Sequence, residues 1–233
     1  MEDYMLSQLL HGRLTLQSAV AEILAVLVII FLILPLHEWA HAQTAYFFGD
    51  KAIKKRGRLS LNPLSHVDPV GALFMLLVGF GWAKPVPVDP RNFKNPKVGM
   101  AITALMGPVS NLVAAFVGLL IYYTLWAATP GLFRSEFGGY VYTFLNFYIQ
   151  VNINLAVFNL LPVPPLDGSK IMFTFLPDKA VNFFYQYQMI FFAVLFILIY
   201  TGPLTAVLSF LSNNVLYGLD WLARLPFNAF GLG

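Results

Sequence analysis

The sequence predicts an all-α integral membrane protein with five to six transmembrane helices and a short membrane-re-entrant hairpin or strand region. Composition is the first observation, because 58% of the 233 residues are hydrophobic and only 11% are charged, whereas soluble domains carry about 25% charged residues. The second is a series of apolar runs of membrane-spanning length. The third is the grouping of basic residues: nine of the fourteen fall within 51–58 and 84–97, as expected of cytosolic loops beside spans.

The first apolar run extends from Ser18 to Phe48, which corresponds to about 45 Å of helix at about 1.5 Å per residue. It continues into histidines without a small-residue cleavage pattern, so we expect a retained span rather than a signal peptide. Its last turns should emerge just before the basic loop at 51–58, which the positive-inside rule places in the cytosol. Pro35 predicts a local kink, because it cannot donate a hydrogen bond to the carbonyl of Phe31.

A re-entrant hairpin is predicted between the two basic loops. Val70–Trp82 is apolar but only thirteen residues long, which is short for a span. If this stretch crossed the membrane, the second basic loop would lie on the wrong side, whereas a hairpin keeps both loops cytosolic. The alternating Pro85 and Pro87 that follow favour an edge strand, because proline cannot donate to a sheet ladder.

The remaining apolar runs complete the predicted topology. Full spans are expected at Val98–Ala128, Tyr140–Leu161 and Phe183–Tyr200. Thr201–Trp221 is a weaker run, and either spans the membrane or lies at the interface. No flexible linker, low-complexity tract or tandem repeat interrupts these runs. We therefore expect residues 1–233 to form a single polytopic membrane domain, with C-terminal helices at 183–225.

Three ionisable residues stand inside the first span, in the sequence HEWAH. His37 and His41 are four residues apart, so on a helix they share one face, and Glu38 neighbours that face. In this His-Glu-x-x-His arrangement two imidazoles bind zinc and the glutamate acts on a water. Ionisable groups within a bilayer cost on the order of 3 kcal/mol each, and they are usually functional. The alternative is a cluster that is merely solvated at the end of a helix.

A catalytic zinc usually has three protein ligands and a water, so a third ligand is expected. Asp167 lies in LLPVPPLDG after an apolar span, with Lys170 as the nearby charge. Its prolines bar a regular helix, leaving backbone that must face protein or a water-filled cavity. An Asp-Gly turn at the end of a span is the structural alternative, but beside HEWAH the third-ligand interpretation is favoured. Four other aspartates near the cytosolic side are expected to be solvated: Asp50, Asp68, Asp89 and Asp178.

Three motifs stand in separate spans: HEWAH in the first long span, GPVSN in a later span, and NLLPVPPLDG at the end of another. Together they resemble the site-2 protease family of intramembrane zinc metalloproteases. The resemblance covers residues 18–175, about two-thirds of the chain. NPLSHVDPVG and GWAKPVPVDPRNF are similar to the compact microbial members that lack a PDZ domain.

The resemblance implies a role for each residue of the site. His37, His41 and Asp167 would bind one zinc ion per chain, and Glu38 would be the catalytic residue. Asn159 matches a position that holds the substrate backbone. By contrast, we expect His66 to be a hydrogen-bonding loop residue, and Asn111 of GPVSN is expected to make interhelical hydrogen bonds.

The predicted function is an intramembrane zinc endopeptidase that hydrolyses peptide bonds within or near transmembrane segments of other membrane proteins. We expect a multi-pass protein of the cell membrane, with the active site toward the cytosolic side. Its expected partners are a transmembrane protein substrate and the lipid bilayer. No run combines basic and aromatic residues as a nucleic-acid surface would. Two alternatives remain, a zinc transporter and an inactive family member that binds membrane proteins as a chaperone. Transport does not require Glu38, which favours the enzyme. The sequence does not predict an oligomeric state.

Overall fold

The computed structural model describes residues 23–24, 26–78, 82–129 and 131–229. The described chain is mainly helical and divides into two compact units, one ending at Lys94 and one beginning at Asn95. The helices are α1 (Leu34–Phe48), α2 (Ala52–Lys55), α3 (Pro69–Val78), α4 (Pro96–Ala128), α5 (Glu136–Asn159), α6 (Asp167–Phe173), α7 (Asp178–Gln186), α8 (Gln188–Tyr200) and α9 (Pro203–Ala229).

Three of the described helices are long and apolar enough to cross a membrane: Val26–Phe48, which contains α1, together with α4 and α5. Helices α7 and α8 pass the same test as a pair bent by 65°, which gives up to four spans. These helices are consistent with an all-α membrane protein, while the count of five to six spans stays a prediction. The predicted start of the first span at Ser18, and residues 79–81 of the predicted hairpin, lie outside the described residues.

The first unit is organised by the helix that carries HEWAH. A π-helical turn, Ile29–Ile33, precedes α1, and the Leu34 N–H donates to the Ile29 carbonyl five residues back. Pro35 follows in the first turn of α1. A widened turn of this kind is often found at functional sites, while the predicted kink at Pro35 stays a prediction. The histidines begin one turn later.

The two ends of the apolar stretch around α3 lie next to each other. Val67 and Ala83 form an antiparallel bridge, and a side chain at Gly71 would overlap the backbone of Trp82. The edge strand expected at Pro85 and Pro87 is not formed, since the isolated bridge is the only strand-like pairing in the described part of the chain. The physical reason is that the two prolines remove two of the donors that a ladder would need.

The second unit is built on the packing of α4 against α5. Asn95 and Ser135 cap the two helices, each side-chain oxygen accepting a main-chain N–H from the first turn. A side chain at Gly118 would meet Ile149 across the pair, so this glycine permits a close approach. The cluster at their contact also includes α9, and its buried members are Ala115, Leu119, Ile149, Ile153, Val157 and Ala223.

Candidate metal centre and catalytic site

The two histidines of α1 lie side by side, as their spacing predicts. Their Nε2 atoms are 3.0 Å apart, and the rings meet edge to face at 83°. Both side chains are buried. Two imidazole nitrogens on one tetrahedral zinc, each about 2.0–2.1 Å from the ion, would be separated by about 3.3 Å. His37 and His41 therefore present their donor atoms at nearly the spacing that chelation of one zinc requires.

Glu38 is half-buried, and it is held by a main-chain donor from a distant part of the same unit. Its Oε2 accepts the N–H of Val86 at 2.9 Å. Because Pro85 and Pro87 have no N–H, Val86 offers the one main-chain donor of this tripeptide. Sequence reasoning missed this contact, although the alternating prolines in KPVPV carried a signal for it.

Asp167 is the first residue of α6 and is buried. Its Oδ1 accepts a hydrogen bond from Lys170 Nζ at 2.9 Å, an ion pair within one helical turn. A side chain at Gly168 would overlap the carbonyl oxygens of Leu160 and Leu161. The glycine of the LDG motif therefore allows α6 to begin against the end of α5, and this contact fixes the position of the carboxylate.

His37 and His41 of the first unit and Asp167 of the second are the residues expected to bind zinc, and each side chain is buried within the structure. The set supplies two imidazole nitrogens and one carboxylate oxygen. These are donor types that zinc accepts, and three protein ligands are the usual number at a catalytic zinc. The chain contains no cysteine, so thiolate ligation does not compete with this set.

The remaining polar candidates differ in outcome. His66 is buried and its Nε2 donates to the Ser60 carbonyl at 2.7 Å, which confirms the predicted loop role. Asn159 ends α5, and its side-chain amide donates to the Leu155 carbonyl at 3.0 Å; its contact with a substrate stays a prediction. Asn111 is fully buried, but within the described residues its side chain has no hydrogen-bond partner, so the expected interhelical bond is not formed there.

Asp50 was expected to be solvated, and this prediction is wrong. Its side chain is fully buried. The Asp89 N–H donates to Oδ2 at 2.9 Å, and the Asn92 side-chain amide donates to Oδ1 at 2.8 Å. Gly49, with a φ of 125°, lets the chain turn beside Asn92. The carboxylate can be buried because both of its oxygens accept hydrogen bonds.

Comparisons with known proteins point to one family. The profile of peptidase family M50 matches residues 135–200. YwhC of Bacillus subtilis is 42% identical over 165 residues, which cover 70% of this chain and 75% of the relative. Rip2 of Mycolicibacterium smegmatis is 33% identical, over 57% of this chain and 50% of its own length. Rip2 of Mycobacterium tuberculosis is 30% identical, over 70% of this chain and 62% of its own length.

The three relatives are each named as candidate zinc metalloproteases. The match spans three-quarters of the Bacillus protein but only half to somewhat under two-thirds of the mycobacterial ones. No solved structure shows a significant match to the chain.

Proposed function

The chain belongs to peptidase family M50, the site-2 protease family, and on this premise we propose that it cleaves other membrane proteins within or near their transmembrane segments. Membership confirms the predicted family and the predicted metalloprotease class. The observation that carries the proposal is the buried pair His37 and His41, with Glu38 beside it on α1, a helix apolar enough to lie in a bilayer.

We assign the metal site to His37, His41 and Asp167, with one zinc ion per chain. Zinc, when bound, supplies Lewis acidity to the reaction. The three buried side chains would hold the ion. The hydrogen bond from Lys170 to Asp167 orients the carboxylate, as partners of metal ligands commonly do.

Glu38 acts as the general base and then as the general acid. It takes a proton from the attacking water and returns it to the leaving amine. Because Oε2 accepts the Val86 N–H, we assign the proton to Oε1. Asn159 is proposed to hold the substrate backbone during the reaction.

We further propose that the chain is one multi-pass domain of the cell membrane, with five to six spans and the active site toward the cytosol. The bridge between Val67 and Ala83 supports a re-entrant hairpin, because it joins the two ends of the short apolar stretch. Single cysteines in the cysteine-free chain test this topology. Lys55→Cys and Lys94→Cys should both be labelled from the cytosolic side. Labelling of Lys94→Cys from outside alone would mean that the stretch spans the membrane.

The proposed reaction is tested with Glu38→Gln. The assay uses the full chain in detergent and a synthetic single-span peptide with a fluorophore and a quencher on either side of its apolar segment. The variant should keep one zinc per chain by metal analysis, since both histidines remain. Cleavage should fall by a factor of about 10²–10⁴, because an amide cannot carry the proton. Retained cleavage would defeat the assignment of Glu38.

Further outcomes separate the alternatives. Cleavage of fluorescein-labelled casein without any cleavage of the single-span peptide would overturn the membrane substrate class. Zinc flux into vesicles without proteolysis would favour a transporter. Binding of the single-span peptide by the zinc-loaded wild-type protein, again without cleavage, would favour the inactive membrane-protein binding factor.

A further inference from the structure

One basic residue of the loop after α2 is not a surface charge. Arg58 is buried, with 6% of its surface exposed. The other basic residues of this stretch are exposed: Lys51, Lys54, Lys55 and Arg56. A buried charge is costly unless hydrogen bonds satisfy it. The hydrogen-bond partners of Arg58 therefore indicate a role beyond that of a basic residue in a cytosolic loop.

The guanidinium of Arg58 binds three main-chain carbonyls. Nη1 donates to Ser65, while Nη2 donates to Lys84 and, at 2.7 Å, to Pro85. The same two stretches are also joined by the Lys84 N–H, which donates to the His66 carbonyl at 2.8 Å. Arg58 therefore holds together the segments on either side of α3, at the point where the second one approaches α1.

The last of these carbonyls belongs to the peptide group that contacts Glu38. The carbonyl of Pro85 and the N–H of Val86 are the two ends of one planar peptide unit. Arg58 binds its oxygen, and Glu38 Oε2 accepts its N–H at 2.9 Å. A cation and an anion thus hold the same rigid group from opposite sides. A hydrogen bond at one end of a peptide also polarises the other end.

We propose that Arg58 is a positioning residue for Glu38, acting through the Pro85–Val86 peptide group. The proposal rests on the proposed function, in which Glu38 is the base. The three-carbonyl fork fixes the plane of this peptide. That plane in turn fixes the direction of the Val86 N–H, and hence the orientation of the carboxylate. The pair of prolines contributes as well, because no neighbouring N–H in 85–87 can replace that of Val86.

The electrostatics support the same connection. Burial lowers the pKa of Arg58, and the negative charge of Glu38 opposes that change. An arginine side chain is effectively always protonated in proteins, so the guanidinium remains a cation. The carboxylate and the guanidinium therefore sense each other's charge across the peptide that they share.

The test compares two substitutions of Arg58 with a matched control, using the full chain and the single-span peptide. Arg58→Gln removes the charge, while Arg58→Lys keeps the charge but cannot supply a planar fork of donors. Both variants should lower kcat by a factor of about 10–100, since small misplacement of a catalytic group has effects up to that size. KM and the zinc content should stay unchanged, because neither the ligands nor the bulk of the protein is altered.

Arg56→Gln is the control. Arg56 is exposed and donates to the carbonyl of Pro87 at 2.8 Å, so it contacts the same segment but not the peptide group that Glu38 uses. Its loss should leave kcat unchanged. Wild-type kcat in Arg58→Lys would overturn the proposal. A positive charge at position 58 would then be sufficient for activity, as expected if Arg58 only keeps its loop on the cytosolic side. An equal loss in Arg56→Gln would overturn it too.

Hydrogen exchange supplies a readout independent of turnover. Within 84–88 only Lys84, Val86 and Val88 have a main-chain N–H, so exchange of this short peptide reports on few amides. Exchange at Val86 should become faster in Arg58→Lys and stay unchanged in Arg56→Gln. Protected exchange at Val86 in a folded Arg58→Lys variant would overturn the proposal.

A third variant is used if the Arg58 substitutions do not fold. Val86→Pro removes the donor to Glu38 and leaves Arg58 in place, and it should lower kcat by the same factor of about 10–100. Unchanged kcat in a folded Val86→Pro variant would overturn the proposal. These results are distinguishable from failure of the proposed function, which would appear as cleavage by Glu38→Gln whatever Arg58 does.

Discussion

Two regions of the first unit contribute to the candidate site in opposite ways. Helix α1 supplies side chains, namely His37, Glu38 and His41. The segment 84–92 supplies main-chain groups, among them the N–H that reaches Glu38. Side-chain chemistry can be read directly from residue types and their spacing. Main-chain contacts cannot be predicted from residue types in the same way, because every residue has nearly the same main-chain groups. In this structure they are identified by the charged side chains that bind them.

The charges that hold segment 84–92 have opposite signs and bind opposite kinds of group. Arg58, a buried cation, donates hydrogen bonds to the carbonyls of Lys84 and Pro85. Asp50, a buried anion, accepts a hydrogen bond from the N–H of Asp89. Main-chain polar groups must find partners whether or not a sheet forms. In a segment whose prolines prevent a ladder, these two side chains replace the neighbouring strand.

The largest effect is expected from substitution of the side chains that would bind zinc. Asp167→Asn should lose most of the bound zinc and abolish cleavage, because a neutral amide is a far weaker zinc ligand than a carboxylate. His37→Ala should do the same. Lys170→Ala removes one partner of the carboxylate but no ligand, so its effect on zinc affinity should be about tenfold, at the low end of what the loss of such a partner costs. Zinc per chain and cleavage of the single-span peptide measure all three.

Full zinc occupancy and full activity in Asp167→Asn would contradict this ligand assignment. Another oxygen or nitrogen donor would then have to complete the site. His66 would be tested next, because it is the other imidazole within the described residues, although its Nε2 already donates to the Ser60 carbonyl.

The parts of the site that sequence could predict are those set by local spacing. His37 and His41 share a helix face because they are four residues apart, and the structure places their nitrogens together. The widened turn before them lies next to Pro35. Asp167 is favoured because prolines bar a regular helix around it and because HEWAH elsewhere in the chain calls for a third ligand, and it is buried. For the histidines nearby residues contain the physical cause, whereas Asp167 depends on a motif far away in sequence.

Arg58 and Asp50 could not be assigned in this way. Both lie in a stretch rich in charge, where solvation is the usual outcome. Their burial depends on partners about 26 to 42 residues further along, such as the Lys84 carbonyl and the Asn92 side-chain amide. No local pattern specifies those partners. A weak signal was present in Gly49, since a glycine directly before an aspartate permits the turn that brings Asp50 inward.

A smaller effect is expected from Asp50, and it tests whether a buried side chain that binds segment 84–92 stabilises the protein more than a less buried one. Asp50→Ala should lower the free energy of unfolding by about 2–3 kcal/mol, because hydrogen bonds to a buried charged acceptor are each worth roughly 1.5–3 kcal/mol and partial rehydration offsets some of the loss. Unfolding in detergent, followed by near-ultraviolet circular dichroism, measures the change. Cleavage should fall less than in the Arg58 variants, since Asp50 holds Asp89 and Asn92 rather than the peptide group that Glu38 uses.

Asp89→Asn is the matched control, and it should give no measurable change in stability at neutral pH. The Asp89 carboxylate accepts hydrogen bonds from Arg91, and these lower its pKa to about 2. A lowered pKa in the folded state means that its small contribution is present above the unfolded value of about 3.9 and is lost as the pH falls toward 2. Arg91 is exposed and Asp89 is half-buried, so salt should weaken this ion pair further. If Asp89→Asn destabilised the protein as much as Asp50→Ala, pairing with a cation would matter as much as burial, and segment 84–92 would not depend specifically on its buried anchors.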